Sequence, residues 1–153
     1  MAQQKPPRKT LRRDAAALLE RCAGCNSRLA ARYITAFLDR ELSVSGFGIA
    51  QLGLMAQIAA AADDTLGGLA RSSGLDQSTL SRNLRRLEAE GLVEIATVES
   101  DLRRRSAWLT ETGARRLEAA IPVWRKAHAR LARRLSPALA RRLATASAAL
   151  FPI

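Results

Sequence analysis

Apolar positions recur at spacings of three and four along most of the chain, a periodicity that predicts a mainly helical protein. Leu11, Ala15, Leu18, Cys22, Cys25 and Leu29 follow a four-three alternation, an a/d heptad seam on one long helix from Thr10 to about Leu42. Ser43 to Gly48 interrupts it, and Ile49, Leu52, Met55, Ile58 and Ala59 give a second, shorter amphipathic helix ending near residues 62–64. Thr65-Leu66 is expected to form a very short strand. The stretch LGGLARSSGLDQSTLSRNLRRLEAEGLVEI, Leu66 to Ile95, then reads as a short helix, a tight turn at Ser73-Gly74, and another helix. Asp76 is a good N-cap for that helix, because its carboxylate can accept from otherwise orphaned first-turn N–H groups. Leu80, Leu84 and Leu87 fall on its inner stripe, while Ser78, Ser81, Arg82 and Arg85 point outward with Arg86 on the flank. Gly91 is placed to end the helix in a left-handed turn. Leu92, Val93 and Ile95, and then Ala107-Trp108-Leu109, predict two short strands joined by a charged loop from Glu99 to Arg105.

Such a hairpin, directly after the outward-facing polar helix, is a β-wing, with Arg103, Arg104 and Arg105 expected at its tip. Thr110 is expected to cap a further helix carrying Leu117, Ile121, Trp124, His128, Leu131 and Leu135, bent at Pro122. Ser136-Pro137 stops and restarts the chain, and Leu139, Leu143, Ala146 and Leu150 mark a final helix. The expected architecture is mainly α with a small β-wing: a winged helix-turn-helix domain over 46–110, helical dimerisation regions over 10–45 and 111–153, and a disordered basic tail over 1–9. Three of the helices carry seams outside the compact middle, and one copy offers too little core to cover them. A homodimer is the economical answer, and it would set two recognition helices about one DNA turn apart.

Charge changes this picture from a fold to a function. The 153 residues hold 25 Lys plus Arg against 14 Asp plus Glu, a net +11, which favours a polyanionic partner, nucleic acid first. The excess is mostly arginine, which engages phosphate and guanine bidentately better than lysine does. No uninterrupted apolar run is long enough to span a bilayer, and the first residues lack the apolar stretch of a signal peptide, so the expectation is a cytoplasmic protein without a membrane partner. The outer face of the Asp76-capped helix carries hydroxyls and arginines, with its acids, Glu88 and Glu90, held back to the last turn. Gln77, Ser78, Thr79, Ser81, Arg82, Arg85 and Arg86 are therefore candidate DNA contacts, joined by Arg103, Arg104 and Arg105 of the wing. An ordinary amphipathic helix is the bland alternative. A winged-helix module meeting an acidic protein, or a nucleoid protein binding DNA without sequence preference, are the competing functions.

The run LARSSGLDQSTLSRNLRRLEAEGLVEI, followed by Asp101-Leu102-Arg103 and by LTETG at 109–113, resembles the MarR family of bacterial transcriptional regulators. The resemblance runs from about Thr10 onward and is most specific between Leu69 and Gly113. It implies winged-helix homodimers joined through their first and last helices. It also implies binding to palindromic double-stranded operators, usually as repressors, with release by a small anionic or phenolic effector or by cysteine oxidation. Asp101 and Arg103 match the family's wing motif, in which the Arg enters the minor groove and the Asp orients the wing. Arg82 matches an arginine common in the middle of the family's recognition helix. Leu102 stands where many members have a second arginine, leaving wing contacts to Arg103, Arg104 and Arg105.

Cys22 and Cys25 lie on the first seam at i, i+3 spacing. Free cysteines commonly serve as small buried apolar groups, but Arg21 and Arg28 nearby would favour a reactive thiolate, making the pair a candidate redox sensor. Arg28, Arg32, Phe47, Trp124 and His128 are candidates for lining an effector pocket, an arginine beside an aromatic suiting an organic carboxylate. No metal site or cofactor is expected. No phosphate-cradling glycine loop, metal-ligand cluster or second histidine supports catalysis, so the expectation is a regulator and not an enzyme.

Overall fold

The computed structural model describes residues 8–98 and 101–150, apart from the side chains at 8, 9, 98 and 101–104. The chain divides after Phe37 into two units. The first contains α1 (Arg8–Arg21) and most of α2 (Ala23–Leu42). The single long helix expected from Thr10 to Leu42 is thus two helices meeting at Cys22. The junction satisfies its own backbone: the Asn26 side-chain amide donates to the Glu20 carbonyl at 3.0 Å, and the Cys25 N–H donates to Cys22 Sγ at 3.4 Å. Both ends of the break therefore find the partners that helix termini lack. The seam leucines Leu11, Leu18 and Leu29 are exposed, as is Tyr33.

The second unit, from Leu38, holds the winged helix. A 3-10 turn (Ser43–Ser45) leads to α3 (Ile49–Ala60), α4 (Leu66–Ser73) and α5 (Gln77–Ala89). A hairpin of β1 (Val93–Val98) and β2 (Asp101–Leu109) follows, then α6 (Glu111–Ala132) and α7 (Pro137–Ala148). Leu42, Met55, Leu69, Leu80, Leu84, Leu87 and Leu92 are all buried to below 2% exposure and form the core on which these elements meet. Each such side chain stabilises the fold by about 1.5–3 kcal/mol relative to an exposed one. The very short strand expected at Thr65-Leu66 is a single antiparallel bridge from Thr65 to Ser106, reinforced by Ala107 N–H donating to the Asp64 carbonyl at 3.0 Å. Thr65 also caps α4, accepting from Gly68 N–H at 3.1 Å. This bridge ties the start of the helix-turn-helix to the wing.

The hairpin differs from expectation in one respect. Of the charged loop foreseen from Glu99 to Arg105, Asp101 to Arg105 belong to β2, and positions 99–100 lie outside the described residues. Register runs from Val93 opposite Leu109 to Thr97 opposite Arg105, then shifts so that Val98 faces Asp101. The basic run is therefore the strand itself and not a loop at the tip. A run of charged residues lacks the apolar alternation by which a half-buried strand is read from sequence.

The start of α6 is bound tightly to the base of the wing. Thr110 caps the helix, accepting from Gly113 N–H at 2.9 Å, while its hydroxyl donates to the Gly91 carbonyl at 2.7 Å and its N–H to the Leu92 carbonyl at 3.1 Å. A Cβ on Gly113 would lie 2.0 Å from that same Leu92 oxygen, so only glycine fits. Gly91 ends the α5 segment with φ 70°, the left-handed turn expected there. The helix continues through Pro122 to Ala132, and Leu117, Ala120 and Ala127 are buried. In contrast α7 buries nothing: Leu139, Leu143 and Leu150 are exposed. Among the described residues, no single helix is long and apolar enough to cross a membrane.

Candidate nucleic-acid interface

Helix α5 sits on the core through Leu80, Leu84 and Leu87, and this fixes which way its other residues face. Gln77, Ser78, Arg82, Arg85 and Arg86 are exposed, with Thr79 and Ser81 half-exposed. The seven residues expected to contact DNA on this helix therefore form one accessible surface. Its first turn is organised by Asp76. The carboxylate accepts from Thr79 N–H at 2.8 Å, from the Ser78 hydroxyl at 2.6 Å and from the Thr79 hydroxyl at 2.8 Å. The Ser78 hydroxyl first, then the Thr79 N–H and hydroxyl, hold the Asp76 carboxyl far below the usual carboxylate range. Further along, Arg86 pairs with Glu90 at 3.3 Å, an i, i+4 contact, and Gln51 reaches the same carboxylate oxygen at 3.5 Å. Among the described residues no carboxylate pairs with Arg82 or Arg85. Their donors stay available to an anion.

The wing stands immediately beyond this helix. Leu92 N–H donates to the Leu87 carbonyl at 2.9 Å, so the last turn of α5 and the wing base share a hydrogen bond. Arg105 is exposed on β2. The side chains of Asp101, Arg103 and Arg104 lie outside the described residues. Trp108 and Glu94 face each other across the hairpin, with the indole N–H donating to the Glu94 carboxylate at 2.9 Å. That ion-assisted contact holds an exposed indole in place. Nothing in the sequence separated this tryptophan from an ordinary strand residue.

The other candidates fall into separate places. In the first unit, Cys22 and Cys25 are free thiols, both half-buried, and Arg28 and Arg32 are exposed on α2. The Cys25 N–H and then the Cys25 thiol draw the Cys22 thiol below its ordinary range, with Arg28 adding to the effect. Cys22 in turn pushes Cys25 upward, first through the shared hydrogen bond and then through its charge. The pair is thus polarised into one readily ionised thiol and one reluctant one. In the second unit, Phe47 is buried at 2% exposure beneath the Arg116 guanidinium, 4.4 Å from the ring centre. Trp124 and His128 stack at 5.0 Å. A cavity of about 480 Å³ opens between α3 and α6, lined by Ile49, Leu52, Gly53, Ile121 and Trp124 among others, with Arg125 its one charged lining residue among the described residues. Of the five residues expected to line an effector pocket, Trp124 borders this cavity and Phe47 and His128 do not. Leu117, which does, was read from the sequence only as a seam position, and Arg125 carries no feature that separates it from neighbouring helix positions.

Comparison with known proteins follows the same lines. A sequence model of the MarR family matches residues 45–104. None of the curated proteins matches the chain. Among solved structures, the transcriptional regulator MosR of M. tuberculosis in complex with DNA is 31% identical, with a TM-score of 0.76 over 84% of this chain and 96% of that one. A mutant MarR of E. coli complexed with operator DNA is 24% identical, with a TM-score of 0.73 over 88% and 98%. The DNA complex of MepR from S. aureus is 20% identical, with a TM-score of 0.68 over 84% and 95%. The last two share the fold of this chain.

Proposed function

The chain belongs to the MarR family of winged-helix, DNA-binding transcriptional regulators, and we propose that it works as a homodimeric repressor seated on a palindromic operator. The observation that carries this reading is the outer face of α5. Its serines, and Arg82 and Arg85, which pair with no carboxylate among the described residues, rest on a helix whose orientation is fixed by the buried Leu80, Leu84 and Leu87. Ser78, Ser81 and Arg82 are assigned to base edges in the major groove. Arg85, Arg86 and the wing arginines Arg103, Arg104 and Arg105 are assigned to phosphates and the minor groove, with Asp101 orienting the wing. The exposed leucines of α1 and α7 support dimerisation, since stripes of this kind are ordinarily covered. A cytoplasmic location follows from this role.

The release signal has two supports. A cavity of about 480 Å³ with an apolar lining and Arg125 at its edge suits a small aromatic or aliphatic carboxylate. The Cys22–Cys25 pair suits an oxidant. Peroxide oxidises the Cys22 thiolate to a sulfenic acid, releasing hydroxide. The Cys25 thiol then attacks that sulfur, forming the disulfide and expelling water.

Operator binding with Arg82→Ala tests the central claim: affinity should fall by about 1–3 kcal/mol with relaxed base preference, whereas Arg105→Ala should weaken all sequences alike and flatten the salt dependence. Unchanged affinity and preference in Arg82→Ala would remove α5 from the interface. For the redox arm, peroxide should release DNA from the wild type and not from Cys22→Ser; equal retention by both eliminates it.

A further inference from the structure

Three hydrogens converge on one carboxylate at the leading end of α5, and two of them come from hydroxyls on the DNA-facing turn. Ser78 Oγ donates to Asp76 Oδ1 at 2.6 Å and Thr79 Oγ1 donates to Oδ2 at 2.8 Å, while Thr79 N–H holds Oδ1 at 2.8 Å. A hydroxyl has one hydrogen and two lone pairs. With the hydrogen committed to Asp76, each oxygen has only acceptor capacity left for a partner. Phosphate oxygens offer lone pairs alone and cannot bond such a group, and the Asp76 charge repels them besides. In the major groove the donors on base edges are the cytosine N4 and adenine N6 amino groups, whereas guanine and thymine present acceptors at the corresponding edge. Arg82 and Arg85, about one and two turns further along the same face, have the opposite bias, since guanidinium only donates. The helix is therefore divided into an accepting first turn and a donating body. Ser78 is exposed while Thr79 is half-buried, which makes Ser78 the contacting group of the two.

We infer that Asp76 is a positioning residue for operator specificity: it locks the Ser78 hydroxyl as an acceptor, so that the first turn of α5 selects a base bearing an exocyclic amino group, cytosine or adenine. The inference rests on the reading that α5 enters the major groove. Because its own hydrogen bonds keep Asp76 ionised, the arrangement holds throughout the neutral range.

Selection from operators randomised at each half-site position, with the full-length protein, reads the effect directly. The wild type should prefer cytosine or adenine over guanine or thymine at one position per half-site by about tenfold. Ser78→Ala should abolish that preference and leave the arginine-read positions intact. Asp76→Gly removes the acceptor altogether, and glycine is itself a tolerated helix N-cap. With no carboxylate to hold it, the Ser78 hydroxyl hydrogen is free to donate, which should flatten the preference to below about threefold at that position alone. A wild-type preference retained by both variants overturns the inference. So does uniform weakening of Ser78→Ala on every sequence with a shallower salt slope, because that marks a phosphate contact. If Asp76→Gly fails to fold, Ser78→Ala, which leaves the cap untouched, decides alone. A wild type with no preference anywhere removes the groove reading itself, whereas specificity through the arginines that ignores Ser78 removes only this inference.

Discussion

The winged-helix core and the terminal helices use the same leucine spacing for opposite ends. Leu80, Leu84 and Leu87 on α5 are buried to 1% exposure or less, whereas Leu18 on α1 is 61% exposed and Leu139 on α7 is 57% exposed. A three-four spacing thus defines a face and says nothing about what covers it. In the middle of the chain, α3, α4 and the wing supply the cover. At the two ends the cover must come from elsewhere, and a second copy is the source proposed above. On that proposal, one region is stabilised by folding and the other by association.

Substitution sharpens that contrast, and the largest effect belongs to the core. Leu84→Ala should cost about 2–5 kcal/mol, seen as a lower urea midpoint that does not depend on protein concentration. Leu143→Ala should leave the fold intact but weaken self-association by about tenfold, measured by sedimentation across a dilution series. A concentration-independent loss in Leu143→Ala would place α7 in an internal core after all. Next comes the pH dependence of α5. Its Asp76 carboxyl titrates lower in the folded than in the unfolded chain, so it contributes stability that is present above about pH 4 and lost as pH falls further. Thermal melts should fall more steeply with acid for the wild type than for Asp76→Asn. The smallest effect should be Glu94→Gln, which weakens an exposed cross-strand contact worth about 0.2–1 kcal/mol and shifts the fluorescence of Trp108 with little change in melting temperature.

The centre of the chain was legible because its signals are local and agree with one another. Asp76 caps, Leu80, Leu84 and Leu87 orient, Gly91 terminates, and Thr110 caps again, each within one turn of the place expected. Cys22 was not legible, since the apolar seam runs through it without a glycine or proline. The break is held instead by a sulfur and by the Asn26 amide, residues that fit equally well inside a helix. The second wing strand was expected at 107–109, and its first part was missed because Arg103, Arg104 and Arg105 carry charge where a half-buried strand would alternate, and charge runs read as loops. The outer face of α5 was read correctly as exposed surface, yet the commitment of its hydroxyl hydrogens to Asp76 depends on rotamers that no pattern encodes. The cavity between α3 and α6 was the least visible of all, because Leu117 and Arg125 acquire meaning only from the helix opposite.

Gly113 has a mechanical consequence. With no side chain between them, the first turn of α6 and the Leu92 carbonyl are in direct contact, and Thr110 pins the same joint through Gly91 and Leu92. A shift of the first turn of α6, the leading end of a helix about 33 Å long at 1.5 Å per residue over its 22 residues, would therefore press directly on the base of the hairpin.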